Sequence, residues 1–352
     1  IRLFFVLPQK IDLIPTPFPV LFANDYSLMT ASFSPYLTQY LSGFGDLLAQ
    51  VFTYAVRVKA LATRLKFSVI HAHDWVCVPA GIAAKEATGR PLIIHVHATE
   101  FDRCGGSNIN STVYQIEKQG FDKADLIVTV SSLTRDTLIH KYGIPPKKIK
   151  VVHNGIDASD YPQAGGPVTL LHSLKTAGNK IVLFMGRITL QKGPDYFLLA
   201  AKKVLERYPN VFFIIAGSGD MEHQIVNQAA SLGISDRVLF PGFIRGEQQN
   251  QLYKSADLFV LPSVSEPFGL VPLESIVNGT PVLISKQSGV SEVLSHALKV
   301  DFWDIDEMTN QILSVLNYPS LPATLQKESQ IEVQRLSWSS AADKVIDIYN
   351  QL

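Results

Sequence analysis

The sequence predicts an α/β protein built from two doubly wound domains in tandem, and three observations support this. From residue 67 onward, short β-branched runs alternate with roughly 15 to 25 residues of helical periodicity, as in the βαβ units of parallel sheets. Most of these runs are apolar throughout, which is typical of strands buried on both faces. The length of 352 residues exceeds what one hydrophobic core usually organises.

Ten runs are predicted to be strands, and they fall into two sets. The first set lies at residues 67–71, 91–96, 126–130 and 149–153. The second set lies at residues 181–185, 211–215, 238–240, 258–261, 281–284 and 298–300. A further β-run opens the chain and ends at Pro8, and apolar spacing predicts a long helix within residues 36–65.

The two sets of strands define the predicted domains. Residues 1–157 form the first domain and residues 180–336 the second. Residues 158–179 are rich in Gly and Pro and show no sustained period, so they are predicted to be the linker. The tail, residues 337–352, is predicted to be a helix that packs back toward the first domain, with Ser337 or Ser339 as its N-cap.

The composition excludes several classes of protein. A hydrophobic fraction of 47% and a charged fraction of 18% exclude a disordered, collagen-like or coiled-coil chain. Lys plus Arg and Asp plus Glu both number 31, and a balanced charge argues against nucleic acid or an acidic membrane as the main partner. Two cysteines fit a reducing compartment, and no apolar run reaches the roughly 20 residues of a membrane span. The sequence therefore predicts a cytoplasmic protein without a transmembrane segment.

The densest group of functional side chains follows the strand predicted at 258–261. Glu266 lies in the loop, and helical spacing begins near Gly269, so the next residues offer free backbone N–H groups that can hold a phosphate. Glu274 falls inside that helix. Two carboxylates placed in this way can accept hydrogen bonds from sugar hydroxyls, although Glu266 could also be a simple helix cap.

Two cationic residues follow the strand predicted at 181–185. Arg187 and Lys192 lie five apart on a turn bracketed by glycines, where a guanidinium and an ammonium can converge on one diphosphate. The turn lacks the Gly-Lys-Ser/Thr order of a Walker loop. A further glycine turn at Gly217 fits either the close approach of a ligand to the backbone or plain turn geometry.

Histidines close two strands of the first half. Alternation places His95 and His97 on the same side of their strand, with His97 nearer the end where ligands bind. His71, His73 and Asp74 close the preceding strand and could provide a His/Asp metal pair. No third ligand stands at a fixed spacing, so the sequence predicts no metal site.

Four stretches together match the pattern of a known family. They are Glu266 with Glu274, Gly186-Arg187 with Lys192-Gly193, residues 152–157 (Val-His-Asn-Gly-Ile-Asp) and residues 97–100 (His-Ala-Thr-Glu). In this order they resemble the retaining glycosyltransferases of the GT-B fold, family 4, a group that contains glycogen and starch synthases, sucrose synthase and bacterial group 1 enzymes. The resemblance covers nearly the whole chain and implies two Rossmann-like domains that face each other across a cleft.

The resemblance implies a role for each matching residue. Arg187 and Lys192 would hold the donor diphosphate, and Glu274 would bond the ribose hydroxyls. His97 would meet the donor sugar near its reacting carbon. Glu266 would bind the transferred sugar. The other residues implied in donor binding are Gly217, Phe268, Gly269 and Leu270.

The implied reaction transfers a hexose, with glucose favoured, from an ADP-, UDP- or GDP-sugar to a glycan or small sugar acceptor. The predicted catalytic residues are His97, Glu266, Arg187 and Lys192. Transfer would retain the anomeric configuration by a same-face route in which the leaving phosphate helps to deprotonate the acceptor. The protein would stabilise a sugar cation and a departing diphosphate, with no cofactor and no metal if Arg187 and Lys192 supply the charge.

The start of the chain departs from the family pattern, and three alternatives to this interpretation stay open. Ile1 resembles the start of the family's second strand, so the first domain is predicted to lack its first strand and glycine-rich loop, which would lower turnover. A sugar-nucleotide epimerase or a glycan phosphorylase on the same fold is one class of alternative. A nucleotide-sugar-binding module without activity is the other.

Overall fold

A computed structural model describes residues 5–7, 20–22, 44–106, 108–161 and 169–352. Within these residues, two short strands, β1 (Phe5–Leu7) and β2 (Val20–Phe22), pair in parallel as a separate two-stranded sheet. Two larger sheets follow, one from each half of the chain, and all of their strands are parallel. No helix in the described part of the chain is long and apolar enough to cross a bilayer.

The first large sheet has the strand order β3-β4-β5-β6. Its strands are β3 (Ile70–His73), β4 (Leu92–Val96), β5 (Leu126–Thr129) and β6 (Ile149–Val151). Its helices are α1 (Phe44–Ala62), α2 (Asp74–Thr88), α3 (Glu100–Arg103), α4 (Ser111–Lys123) and α5 (Ser132–Tyr142). Alternate residues of β4 face opposite layers: Ile94 packs with α1, α2 and α4, whereas Ile93 packs on the other side.

The second large sheet has the strand order β12-β11-β10-β7-β8-β9. Its strands are β7 (Lys180–Met185), β8 (Val211–Ala216), β9 (Val238–Gly242), β10 (Leu258–Leu261), β11 (Val282–Ser285) and β12 (Leu298–Val300). Its helices are α6 (Thr169–Thr176), α7 (Pro194–Leu205), α8 (Glu222–Ser231), α9 (Glu247–Ser255), α10 (Val271–Val277), α11 (Ile305–Asn317) and α12 (Ser320–Val333). The chain builds outward from β7 in one direction and from β10 in the other. The order therefore reverses between β7 and β10, where doubly wound sheets bind ligands.

The predicted fold class is confirmed, and all ten strands predicted from residue 67 onward form. Their ends differ from the predicted ones by a few residues; the first, for example, is β3 (Ile70–His73) rather than 67–71. The β-run predicted at the start of the chain forms β1 (Phe5–Leu7) in its last residues before Pro8. The helix predicted within 36–65 is α1 from Phe44, and residues 36–43 lie outside the described part of the chain.

The predicted linker, residues 158–179, is not irregular throughout. It contains α6, whose Leu171 is buried in the core of the second sheet. Eight residues give too short a window for helical periodicity to stand out beside Gly and Pro. The domain boundaries themselves stay a prediction.

The last helix, α13 (Trp338–Tyr349), packs on the first sheet although it follows the second. Ser337 caps it by accepting a hydrogen bond from the Ser340 N–H at 3.1 Å. Ile348 shares an apolar cluster with Ile93 of β4. The chain passes from the first half to the second near Ile156 and returns to the first half after Leu336. The Ile156 N–H donates to the Leu336 carbonyl at 2.7 Å, so these two crossing segments lie side by side.

Gly155 is required for this close approach. A Cβ at that position would lie 2.3 Å from the Ser337 carbonyl carbon, and backbone cannot move aside as a flexible side chain can. We expect Gly155→Ala to lower the free energy of unfolding by about 3 kcal/mol. The control is Gly89→Ala, since Gly89 has a φ of +68° with open space around it and should cost only about 1 kcal/mol of strain. If denaturant titrations showed equal losses of unfolding free energy for the two variants, the close backbone approach at Gly155 would be contradicted.

Candidate functional site

The loops that follow β7 and β10 meet at the reversal of strand order. The Val264 N–H donates to the Gln191 carbonyl at 2.9 Å, which ties the two loops together. Gly193 has a φ of +67°, and a Cβ there would lie 2.2 Å from the Pro262 carbonyl oxygen. Only glycine allows both this conformation and this approach.

Lys192 and Glu266 form an ion pair between these two loops. The Lys192 ammonium donates to Glu266 Oε2, and the two side chains are only 11% and 9% exposed. Two charges taken out of water to this extent are stable only when they are closely paired. The structure therefore brings together the cation and the carboxylate that the sequence singled out.

Arg187 lies in the same loop as Lys192. Its guanidinium is half-buried and donates to Gln191 Oε1 at 2.9 Å. Gln191 precedes Lys192 and is itself buried. The two predicted cations thus lie on one short turn at the carboxyl end of β7.

The segment after Glu266 turns sharply into α10. Gly269 has a φ of +97°, and a Cβ there would come within 3.0 Å of Glu266 Cγ, so this glycine lets the chain turn beside the carboxylate. Phe268 is buried, and its carbonyl accepts the Val290 N–H at 2.7 Å. Leu270 is the N-cap of α10.

Glu274 lies in a different environment from Glu266. Its carboxylate accepts hydrogen bonds from the Tyr161 hydroxyl at 3.1 Å, the Gln249 amide at 2.8 Å and the Tyr253 hydroxyl at 3.0 Å. A carboxylate offers about four acceptor sites, so three are already used within the protein. Its predicted contact with ribose hydroxyls would use the fourth site or replace one of these donors.

Gly217 has a structural reason to be glycine. Its φ is +144°, and a Cβ would lie 1.8 Å from the Gly186 carbonyl oxygen, in the loop that leads to Arg187. The close backbone approach left open by the sequence is therefore an approach to this neighbouring loop. A role for Gly217 in donor binding stays a prediction.

His97 lies at the carboxyl end of β4, in a loop fixed by Asp74. Asp74 Oδ1 accepts the backbone N–H of His97 at 2.7 Å and that of Ala98 at 3.3 Å. Asp74 has a φ of +54°, an uncommon conformation for a residue other than glycine. Arg103 supports the loop from the other side by donating to the Ala98 carbonyl at 3.0 Å.

The His97 loop contacts the Glu266 loop across the two halves of the chain. The Ser265 hydroxyl donates to Asp102 Oδ1 at 2.7 Å. Asp102 is buried and also accepts the Thr99 N–H in a capping box at the start of α3. Asp102, five residues after His97, therefore lies against the loop that carries Glu266.

The imidazole rings of four histidines at the carboxyl ends of β3 and β4 form one stack. The ring centroids of His71 and His73 are 4.5 Å apart, as are those of His95 and His97, and His73 and His95 are 5.1 Å apart. Burial, with repulsion from neighbouring imidazoles, lowers the pKa of His71 to about 4 and that of His73 to about 3, and also lowers the pKa of His95. These rings are neutral at pH 7.

A second contact joins the halves through Glu292. Its carboxylate accepts the backbone N–H groups of Ser132 and Leu133, at 2.9 and 2.8 Å, at the start of α5. His153 Nε2 lies 3.2 Å from Glu292 Oε2. The His153 ring also lies near Phe268, with ring centroids 6.0 Å apart.

Sequence reasoning missed the residues that join distant parts of the chain. Nothing in the local pattern pairs Asp102 with Ser265 or Glu292 with α5. A third histidine, His95, lies beside His71 and His73, because the parallel register places His95 opposite His73. Counting which predicted strands are neighbours, rather than spacing along the chain, could have found it.

Comparisons with known proteins agree with this geometry. Residues 172–331 match the family model described as Glycosyl transferases group 1, and residues 28–160 match the one described as Glycosyltransferase Family 4. An uncharacterized glycosyltransferase of Methanocaldococcus jannaschii, MJ1607, is 32% identical over 300 residues, which is 81% of this chain and 75% of that protein. The fold and the matching family models thus define a glycosyltransferase with one large parallel sheet in each half. The chain belongs to the group 1, family 4 glycosyltransferases.

Other relatives have more specific names. Glycogen synthase of Mycobacterium tuberculosis is 28% identical over 306 residues, 84% of this chain and 72% of that protein. D-inositol 3-phosphate glycosyltransferase of Mycolicibacterium smegmatis is 32% identical over 300 residues, 81% of this chain and 67% of that protein.

Solved structures share the fold. Sucrose-phosphate synthase from Thermosynechococcus elongatus superposes with a TM-score of 0.79 at 20% identity, covering 99% of this chain and 88% of that one. HepE of Anabaena, in complex with UDP and glucose, gives a TM-score of 0.74 at 22% identity, covering 95% and 87%. The predicted GT-B fold is confirmed by these matches.

The Glu292 contact predicts a specific dependence of stability on pH. Burial acts to raise the pKa of Glu292, but hydrogen bonds from His153, Ser132 and Leu133 outweigh it and lower the pKa from 4.5 to about 2. A carboxylate with a depressed pKa stabilises the fold above its unfolded pKa and loses this effect as pH falls through the folded one. We expect the melting temperature of the natural protein to fall more between about pH 5 and pH 2 than that of Glu292→Gln.

The control for this comparison is Glu206→Gln, because Glu206 is an exposed residue that pairs with Lys202, four residues before it. That variant should keep the pH dependence of the natural protein. Parallel melting curves for the natural protein and Glu292→Gln across this pH range would show that Glu292 does not join the halves in solution.

Proposed function

We propose that this chain transfers glucose from a nucleoside-diphosphate glucose to a hydroxyl of a glycan or small sugar, with retention of the anomeric configuration. Membership of the family supports a sugar transferase. The choice of glucose is supported by the relatives named glycogen synthase and by the neighbouring structure that holds UDP and glucose. The donor base is ADP, UDP or GDP, and UDP-glucose is the first compound to test.

The observation that carries the proposal is the buried Lys192–Glu266 pair beside the His97 loop. The ammonium is held at the reversal of strand order, next to the turn that carries Arg187. A diphosphate placed there would meet two cations, and the Glu266 carboxylate would remain beside them to accept a sugar hydroxyl. His97 would approach the same sugar from the first half, because Asp102 and Ser265 join the two loops.

The proposed chemistry is mainly electrostatic. As the bond between the anomeric carbon and the donor phosphate breaks, negative charge grows on the diphosphate, and Arg187 and Lys192 stabilise it. The leaving phosphate oxygen takes the proton of the acceptor hydroxyl, which then bonds to the same face of the sugar. This route needs no metal ion, because the two side chains supply the positive charge that a metal would bring.

The acceptor is proposed to be a hydroxyl of a glucan or a small sugar. The relatives carry the names of enzymes with different acceptors, a glucan and an inositol phosphate. Transfer to a glucan or a small sugar is the reaction to test first. An epimerase would release no nucleotide in response to acceptor, a phosphorylase would need inorganic phosphate, and a binding module would hold the donor without releasing nucleotide.

Removal of the Lys192 ammonium tests the donor site. We expect Lys192→Ala to weaken UDP-glucose binding by about 2 kcal/mol, roughly thirtyfold, as the loss of a charged hydrogen bond does. Titration calorimetry measures the affinity, and a melting curve checks that the variant remains folded without the partner of Glu266. The same experiment with ADP-glucose and GDP-glucose identifies the donor base.

The matched control is Lys203→Ala. Lys203 lies on the same half of the chain but pairs with Asp306 at the surface, and its side chain is 45% exposed. Its loss should leave donor affinity unchanged. If Lys192→Ala binds every nucleotide sugar as tightly as Lys203→Ala does, the proposed donor site is wrong.

His97 is expected to act on turnover rather than on binding. His97→Ala should lower kcat by about a hundredfold, while donor affinity changes little, because the ring is proposed to interact with charge that develops only in the transition state. Acceptor-dependent release of UDP measures kcat. The control is His140→Ala, an exposed histidine at the end of α5. A fall in affinity that matches the fall in kcat would place His97 in ground-state binding instead.

A further inference from the structure

Two His-x-His pairs lie next to each other on neighbouring strands of the first sheet. His71 and His73 belong to β3, His95 belongs to β4, and His97 follows it. In the parallel register His73 is opposite His95, and residues two apart on a strand point to the same face. The register therefore collects four imidazoles on one face at the carboxyl end of the sheet.

Several nitrogens of this stack have no hydrogen-bond partner within the described residues. Both nitrogens of His95 are buried and unpaired, and so is Nε2 of His71. His95 is more than nine-tenths buried. A buried imidazole without a partner is unfavourable, because its nitrogens have lost their contact with water and gained nothing in return. A stack kept only for packing would be better built from apolar rings.

We propose that His71, His73 and His95 bind one divalent metal ion of the zinc class. One nitrogen from each residue can be chosen so that all three lie within 4.8 Å of one another. Zinc–nitrogen bonds of about 2.1 Å place tetrahedral ligand atoms roughly 3.4 Å apart. The rings are stacked nearly parallel, so binding requires them to turn out of the stack and aim their in-plane lone pairs at one ion. Neutral imidazole is the ligand form that Zn²⁺, Ni²⁺ and Cu²⁺ share.

The contacts around the cluster orient two of the three ligands. His71 Nδ1 is 2.5 Å from the Tyr349 hydroxyl, which leaves Nε2 for the ion. His73 Nδ1 is 2.9 Å from His97 Nε2, which leaves His73 Nε2 in the same way. In many metal sites, a hydrogen-bond partner on the second ring nitrogen fixes the orientation of a ligating histidine.

The surroundings also allow a cation to enter. His73 is exposed, so an ion can reach the cluster from solvent, and three protein ligands leave a fourth position for water. The ion takes no part in the proposed sugar transfer, and its binding can be measured without any activity.

Zinc binding to the complete, tag-free chain tests this inference. After treatment with a chelator and its removal, titration calorimetry with Zn²⁺ at pH 7 should show one ion bound per chain. Titration with Co²⁺ should produce visible absorption bands of a tetrahedral nitrogen site. His73→Gln and His95→Asn should each weaken Zn²⁺ binding by at least about tenfold, since even changes beyond the ligands cost roughly 10- to 100-fold.

The control variant is His296→Ala, because His296 and Glu332 form an exposed pair that could hold zinc adventitiously. That variant should bind Zn²⁺ as the natural chain does. If His95→Asn does not fold, His73→Gln carries the same test, since its ring is exposed. No binding by the natural chain, or binding lost in His296→Ala but kept in His73→Gln, would overturn the proposal.

Discussion

The buried contact between the Lys192 ammonium and the Glu266 carboxylate depends on several levels of the structure at once. The two charges can leave water only if they meet, and they meet only because β7 and β10 are neighbours that lead into loops on the same edge. Gly193 lets these loops touch backbone to backbone. Ser265, adjacent to Glu266, then reaches the first half of the chain. The order of the strands, the conformation of the loops and the contact between the halves all bear on this one ion pair.

The two halves contribute different electrostatic characters to this region. The second half supplies formal charges, Arg187, Lys192 and Glu266, close to one another. The first half supplies a stack of imidazoles at a sheet edge, and Arg103 and Asp74 hold the His97 loop by hydrogen bonds. Charge that develops on a bound diphosphate would therefore be met mainly from one side, while the other side supplies shape and hydrogen bonds.

Much of the fold follows from the sequence because buried parallel strands are continuous apolar runs, and the strand-end loops that carry Lys192, Glu266 and His97 could be placed from them. Contacts between residues far apart in the chain could not. Glu292 meets the start of α5 only through the docking of the two halves. His95 joins His71 and His73 only through strand register, and α6 is too short to show a period. The domain boundaries and a cytoplasmic location stay predictions.

The side-by-side crossings at Ile156 and Leu336 have a mechanical consequence. Two polypeptide segments run between the halves at one point, and their backbones are in close contact there at Gly155. A chain joined by a single tether could swing in any direction, whereas a doubled tether acts as a pivot. A rotation of one half against the other is therefore expected to turn about this point. Such a rotation would have to break the contacts that Ser265 and Glu292 make between the halves.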